Sequence, residues 1–240
     1  MSLPVAILAG GLATRLSPVT EKVPKSLIEI AGRPFVTYQV ELLRRNGLIE
    51  VVFCVGNLGD ILEEFLGDGS RFGVSIHYSY DGPTLLGTGG ALRKALPLLR
   101  ESFFVLYGDS YLECDYAAVE KAFLKAGSLG LMTVMQNGGK WDRSNVTFRN
   151  GQIIQYDKQN PSPNMQYIDY GLGALKAAAL DSYPPSVNFD LETVYKNLIS
   201  QGQLAAFEVT QRFYEIGSPQ GILDLEEHLR RLPHEKEKNI

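Results

Sequence analysis

Hydrophobic residues fall along this chain in two alternating rhythms. Short apolar, β-branched runs at 5–8, 51–55, 74–80 and 103–107 are separated by stretches at 35–45, 61–66 and 91–99 whose apolar positions recur at helical spacing. That order predicts repeated strand–helix–strand units. Parallel strands need helical crossovers, so the expected fold class is α/β, Rossmann-like, with a mostly parallel sheet and helices on both faces. Pro34 stands where a first helical turn tolerates it, and Asn46-Gly47 is a helix stop ahead of the next strand.

Beyond Asp115 the rhythm loosens into a helix over 116–126, a strand over 129–135 and β-like segments at 145–149, 152–157 and 167–175. Asn150-Gly151 reads as a hairpin turn between two of these, so a small β-rich insertion is expected here. Helices over 190–200 and 219–232 close the pattern. With no internal repeat and no Gly/Pro/Ser-rich linker, residues 1–232 are expected to form one domain and 233–240 a polar tail. In an open α/β sheet the ligand site lies beyond the carboxyl ends of the strands.

Composition narrows the function classes. The 240 residues are 45% hydrophobic and 21% charged, a globular balance, and the net charge of −4 supplies no basic field for nucleic acid or an anionic membrane surface. Any phosphate binding must therefore be local. Cys54 and Cys114 form no CxxC pair, which argues against a disulfide framework, a zinc site or a redox couple. No run approaches the roughly 18 apolar residues of a membrane span, and no basic leader precedes the first strand; the expectation is no membrane insertion and a cytoplasmic location.

The loop after the first strand, Leu8-Ala9-Gly10-Gly11-Leu12-Ala13-Thr14-Arg15, continuing to Pro24-Lys25, concentrates anion-binding chemistry. Gly10 and Gly11 let backbone N–H groups approach a polyphosphate, Arg15 offers a bidentate fork, and Lys22 and Lys25 add positive potential. The loop reads as a nucleoside-triphosphate cradle. It is neither a P-loop nor a G-x-G-x-x-G dinucleotide loop. The bland alternative is a Gly/Pro-rich surface loop with solvated Arg and Lys.

The spacing G-G-x-x-x-R-x-x-P-x-x-x-x-x-P-K from Gly10 to Lys25 resembles the N-terminal motif of the sugar-1-phosphate nucleotidyltransferases, or NDP-sugar pyrophosphorylases. The resemblance implies transfer of a nucleotidyl group from an NTP to a sugar-1-phosphate, giving an NDP-sugar and pyrophosphate, with Mg²⁺ as cofactor. It assigns Arg15, Lys25 and Asp109 to catalysis, and Leu8, Ala9, Gly10, Gly11, Thr14, Arg15, Lys25, Gly87, Thr88 and Gly89 to the nucleotide. Leu85 to Leu92 resembles the second nucleotide motif, in which Gly89 and Gly90 would let a base approach.

The apolar strand ending in Gly108-Asp109 matches the family's metal-binding strand-Gly-Asp context; a turn or cap residue is the other reading. Glu215, in Glu215-Ile216-Gly217-Ser218-Pro219, stands where the family has Asp in an Asp-Ile-Gly-Thr-Pro-like stretch, so it is either the second metal ligand or a structural partner for an Arg. Lys158 resembles the lysine that holds the sugar phosphate, and Asp169 and Gly171 the Asn-x-Gly element that meets the sugar, with Asp169 accepting from hydroxyls. Trp141, Arg143, Ser144 and Asn145 either frame the sugar pocket, which the β-rich insertion would carry, or form a capping turn.

The motif variants look most like the guanylyl- or uridylyltransferases of mannose-, heptose- or amino-sugar-1-phosphates used for cell-surface glycans. GTP is preferred, with UTP or CTP as the other nucleotides. A phosphate monoester has a second pKa of about 6 and is already mostly ionised at neutral pH, so no general base is expected. Two other readings stand: a cytidylyltransferase acting on a non-sugar phosphoester, and a nucleotide-binding regulatory module without turnover.

Overall fold

The computed structural model describes residues 2–11 and 23–232; the expectations placed on Thr14, Arg15, Lys22 and the tail from 233 lie outside the described residues. The first half runs β1 (Val5–Leu8), a small hairpin of β2 (Glu29–Ile30) and β3 (Arg33–Pro34), α1 (Phe35–Arg45), β4 (Glu50–Val55), α2 (Gly59–Leu66), β5 (Ser75–Tyr80), α3 (Gly87–Ala95), β6 (Ser102–Tyr107) and β7 (Ser110–Leu112). The second half runs α4 (Tyr116–Ala126), β8 (Gly130–Gln136), β9 (Val146–Arg149), β10 (Gln152–Tyr156), β11 (Tyr167–Lys176), α5 (Leu191–Ser200), β12 (Leu204–Glu208), β13 (Phe213–Glu215) and α6 (Pro219–Arg231).

In the main sheet β5, β4, β1 and β6 lie side by side and parallel. β11 follows antiparallel to β6, β8 pairs antiparallel with β11, and β12 pairs parallel with β8. The expected mostly parallel, Rossmann-like α/β fold is the observed one. The β9–β10 hairpin branches from β11 at the Tyr167–Val146 pair, and its turn residues Asn150 and Gly151 both have positive φ (51° and 77°), as a two-residue primed turn demands.

Strand residues point alternately to opposite faces, and here both faces are covered. Val5 and Ile7 of β1 pack with Val36, Val40 and Leu43 of α1, Leu62 and Leu66 of α2 and Val119 and Phe123 of α4. Ala6 and Leu8 pack on the other side with Leu92 of α3 and Val194 and Leu198 of α5. A third cluster ties Leu225 and Leu229 of α6 to Ile30, Phe35, Tyr111 and Ile216. Each fully buried aliphatic or aromatic side chain contributes about 1.5–3 kcal/mol, so this third cluster is enough to fix the C-terminal segment beneath β7.

Three features depart from the expected elements. α3 begins at Gly87 rather than 91, so the glycine-rich stretch is helical. β12 (Leu-Ala-Ala-Phe-Glu) carries no β-branched alternation and forms because β8 offers it a parallel edge. The β7–β13 pair is three residues on each side, too short to show as a pattern.

Candidate active site

The carboxyl ends of β1 and β6 open onto a cavity of about 280 Å³ roofed by the start of α3. Parallel strands end here together, and their ladders extend one step further: Ala9 N donates to the Cys54 carbonyl at 2.9 Å and Gly108 N to the Leu8 carbonyl at 2.9 Å. Leu8, Ala9, Gly10, Gly11, Lys25, Gly87, Thr88 and Asp109, all expected from sequence, line it. A second cavity of about 610 Å³ adjoins it, lined by Asn145, Lys158, Asp169, Gly171 and Glu215 among others. Lys25, Tyr107 and Asp109 line both. The two halves of the expected site therefore meet at one seam.

Gly89 departs from its expected role. A Cβ on Gly89 would lie 2.4 Å from the Phe189 ring, and one on Gly90 2.4 Å from the Val187 carbonyl oxygen. The N–H groups of Gly89 and Gly90 donate to the Phe189 carbonyl at 3.0 and 3.2 Å. These glycines admit the 187–190 segment against α3; Gly87, Thr88 and Ala91 are the residues that face the cavity.

At the seam, Lys25 Nζ donates to Asp109 Oδ2 at 2.6 Å. The β7–β13 ladder sets Glu215 opposite Ser110, and Ile216 N donates to the Asp109 carbonyl at 3.0 Å, so the two carboxylate-bearing segments lie side by side. Glu215 accepts from Ser218 Oγ at 2.6 Å and from Gly217 N, which ties it to the N-terminus of α6 and not to an arginine. Favourable charge at a helix N-terminus supports this placement. A Cβ on Gly217 would sit 2.4 Å from Glu215 Oε2, 3.0 Å from Lys25 Nζ and 3.6 Å from Asp109 Oδ2, so glycine keeps open the point where the three charges converge.

These groups fit a hard divalent cation. Asp109 Oδ1 meets a side-chain donor, Ser110 Oγ, only at 3.5 Å, which leaves it open to a cation. Among the described residues no three His, Cys, Asp or Glu side chains cluster as a complete metal cage. One or two carboxylates completed by phosphate and water oxygens is the set that suits Mg²⁺. α1 supports the arrangement from behind: buried Gln39 donates from Nε2 to the carbonyls of Tyr107 at 3.1 Å and Ser110 at 2.8 Å, bracketing Gly108-Asp109.

In the second cavity Lys158 Nζ donates to the Tyr107 hydroxyl at 2.5 Å and lies 3.7 Å from Asp169 Oδ2. Burial alone would lower the Lys158 pKa, but the Tyr107 and Asp169 oxygens outweigh it and hold the ammonium above the ordinary lysine value. Asp169 is not the open sugar-hydroxyl acceptor expected of it. Its side chain is 5% exposed, Oδ2 accepts from the Tyr156 hydroxyl at 2.8 Å and Oδ1 from Gly171 N at 3.1 Å. Gly171, at φ +103° within the bulge of β11, makes that return bond in a conformation side chains rarely adopt. Asn145 Oδ1 accepts from Asp169 N at 2.9 Å and its carbonyl from Asp157 N at 3.0 Å, pinning the hairpin to β11. Arg143 and Asp142 line the same cavity.

Sequence reasoning missed Asp81, Tyr107 and Gln39. Asp81, 8% exposed at the end of β5, lines the first cavity and accepts from Leu86 N at 3.1 Å through Oδ2. Burial raises its pKa above the ordinary carboxyl value. The Asp81-Gly82-Pro83 run carries only a turn signal, which hid it. Neither described histidine lines the two cavities: His77 lines a separate cavity with Ile49 and Leu98, and His228 pairs with Glu113 at 2.5 Å and stacks on Tyr214.

The family model described as nucleotidyl transferase matches residues 5–144. A UTP–glucose-1-phosphate uridylyltransferase from Synechocystis sp. is 29% identical over 214 residues, covering 82% of this chain and 55% of its own length. A mannose-1-phosphate guanylyltransferase catalytic subunit beta from Xenopus tropicalis is 31% identical over 229 residues, covering 90% of this chain and 62% of its own. The chain thus spans between about half and three-fifths of the length of these curated relatives. A solved structure from Bacillus anthracis, assigned as a glucose-1-phosphate thymidylyltransferase, superposes with a TM-score of 0.85 at 19% identity over 97% of both chains, a likeness of fold.

Proposed function

The chain belongs to the nucleotidyl transferase family, and from that we propose that residues 1–232 act as one catalytic domain that transfers a nucleotidyl group from an NTP to a sugar-1-phosphate, yielding an NDP-sugar and pyrophosphate for glycan assembly. The observation that carries this is the seam of Lys25, Tyr107 and Asp109 shared by the two cavities. A transfer between two polyanions needs adjoining sites, and the seam offers a cationic side chain in Lys25 and a carboxylate in Asp109 that suits a bound cation.

The loop amides of Gly10 and Gly11, Lys25 and, outside the described residues, Thr14 and Arg15 take the triphosphate. Lys158 takes the sugar phosphate, whose attacking oxygen is already ionised near neutral pH, so the enzyme's task is positioning and charge neutralisation. Asp109, with Glu215 beside it, would hold Mg²⁺, which would supply neutralisation of phosphate charge.

Asp81 supports GTP as the nucleotide. A buried carboxylate is an acceptor only, and guanine presents adjacent N1–H and N2–H donors that match it in pairs, whereas uracil offers one N–H and cytosine one amino group. No described helix is long and apolar enough to cross a membrane, and an NTP substrate favours the cytoplasm.

A pyrophosphate-release screen of GTP, UTP, CTP, dTTP and ATP against a panel of sugar-1-phosphates with Mg²⁺ tests the reading. Release is expected with GTP and mannose- or heptose-type acceptors. Release with phosphocholine alone would replace it with a cytidylyl-type transfer to a non-sugar phosphoester, and nucleotide binding without any release would make the protein a sensor.

A further inference from the structure

We infer that Tyr107 is a positioning residue for Lys158: its hydroxyl, at the seam of the two cavities, accepts a hydrogen bond from the lysine ammonium and turns the remaining N–H donors toward the phosphate of the acceptor substrate. The inference rests on the nucleotidyl-transfer reading above and adds a residue to it.

The lysine is fixed at both ends. Its backbone N–H donates to Glu192 Oε1 at 2.8 Å, and Glu192, 6% exposed, is itself paired with Lys196 at 3.1 Å. At the tip, Nζ meets Tyr107 Oη at 2.5 Å and lies 4.3 Å from the centre of that ring. An ammonium has three donors. One is taken by Tyr107; Asp169 at 3.7 Å is beyond hydrogen-bond range, and both its oxygens already accept from Tyr156 and Gly171. The other two donors are left for the 610 Å³ cavity that Lys158 lines.

The chemistry of the acceptor matters. A carboxylate at hydrogen-bond distance would engage one lysine donor and offset part of its charge, as Asp109 does for Lys25 at 2.6 Å. A phenol holds the ammonium through its oxygen while carrying no charge of its own. Lys158 is therefore offset only by the more distant Asp169 and keeps donors and charge for a phosphate. Without the hydroxyl the ammonium has one strong neighbour left, Asp169, and closing the 3.7 Å gap would spend its charge there.

The test is steady-state kinetics of purified Tyr107→Phe with both substrates varied, beside its melting curve. Loss of a hydrogen bond to a charged group predicts a KM for the sugar-1-phosphate raised roughly tenfold or more, with the KM for the NTP within about twofold and an unchanged melting midpoint. Adding Asp169→Asn to Tyr107→Phe is expected to recover part of that KM by removing the competing carboxylate. Equal KM values for wild type and Tyr107→Phe would overturn the inference and leave the transfer reading standing, as would a parallel rise in both KM values, which marks a general distortion. A wild-type protein that turns over no sugar-1-phosphate would overturn the two together.

Discussion

Asp81 shows at the scale of one residue how a buried carboxylate costs stability. Burial raises its pKa, so the folded state favours the proton. Its contribution is favourable below the unfolded carboxyl value near about 3.9 and is lost as pH rises through the raised folded value, which makes the charged form a net cost at pH 7. Asp81→Asn keeps an acceptor for Leu86 N and should melt higher than wild type at pH 7, with the difference vanishing near pH 3.5. The same variant should lose at least about tenfold in kcat/KM for GTP and far less for UTP, because an amide presents only one acceptor to guanine's paired donors. An Asn variant that keeps its GTP preference would remove Asp81 from base selection. Asp109 is the opposite case: its side chain is 36% exposed, so Asp109→Ala should fold normally while pyrophosphate release falls by at least about 100-fold. Both residues follow strands of the main sheet, yet only Asp109, after the apolar β6 and Gly108 in a familiar motif, was legible as functional. Asp81 looked like a turn because what distinguishes it is burial, which is a property of neighbours.

Among the elements, α3 carries the sharpest contest between local and tertiary preference. Alanine is favoured over glycine inside a helix by about 1 kcal/mol, so propensity alone says Gly89→Ala should stabilise. The new Cβ would lie 2.4 Å from the Phe189 ring and 3.1 Å from the backbone of Asp190, and overpacking of that kind costs about 1–3 kcal/mol. The clash should win: a lower denaturation midpoint, and a raised KM for the NTP because Gly87 and Thr88 move with the helix. A variant more stable than wild type with unchanged KM would show that the 187–190 segment yields easily. The helix itself was legible from 91 onward through its apolar spacing; its first turn was not, because glycines carry no pattern. The β9–β10 hairpin was readable to the residue from Asn150-Gly151, since that pair demands a turn wherever it stands. The β7–β13 pair was invisible, since three-residue strands are too short to show a period and are defined only by the partner they meet.

For the whole molecule, charge at the site is internally compensated before any substrate arrives. Lys25 pairs with Asp109, and Glu215 is held by Gly217, Ser218 and the α6 N-terminus. Chelation of divalent metal is therefore expected to stop pyrophosphate release while shifting the melting midpoint by less than about 2 °C, since Asp109 keeps Lys25 and Glu215 keeps its α6 partners without a cation. A large fall in melting temperature on adding chelator would mean that a cation is part of the folded structure. With a net charge of −4, nothing long-range draws in a polyanion, so all recognition falls to the cleft where these local groups converge. What the sequence by itself determined was periodic or contiguous: much of the strand and helix order, the α/β class, the Gly10-Gly11 step after β1 and the Gly108-Asp109 strand end. Local sterics and hydrophobic spacing act within a few residues and leave their mark in order along the chain. Tertiary structure alone decided that Lys25 meets Asp109 across 84 positions, that Glu215 serves α6, that Gly89 packs on Phe189 and that a phenol at 107 carries Lys158. Those pairings depend on which strand lies beside which, and that is set by the packing of the two faces of one sheet.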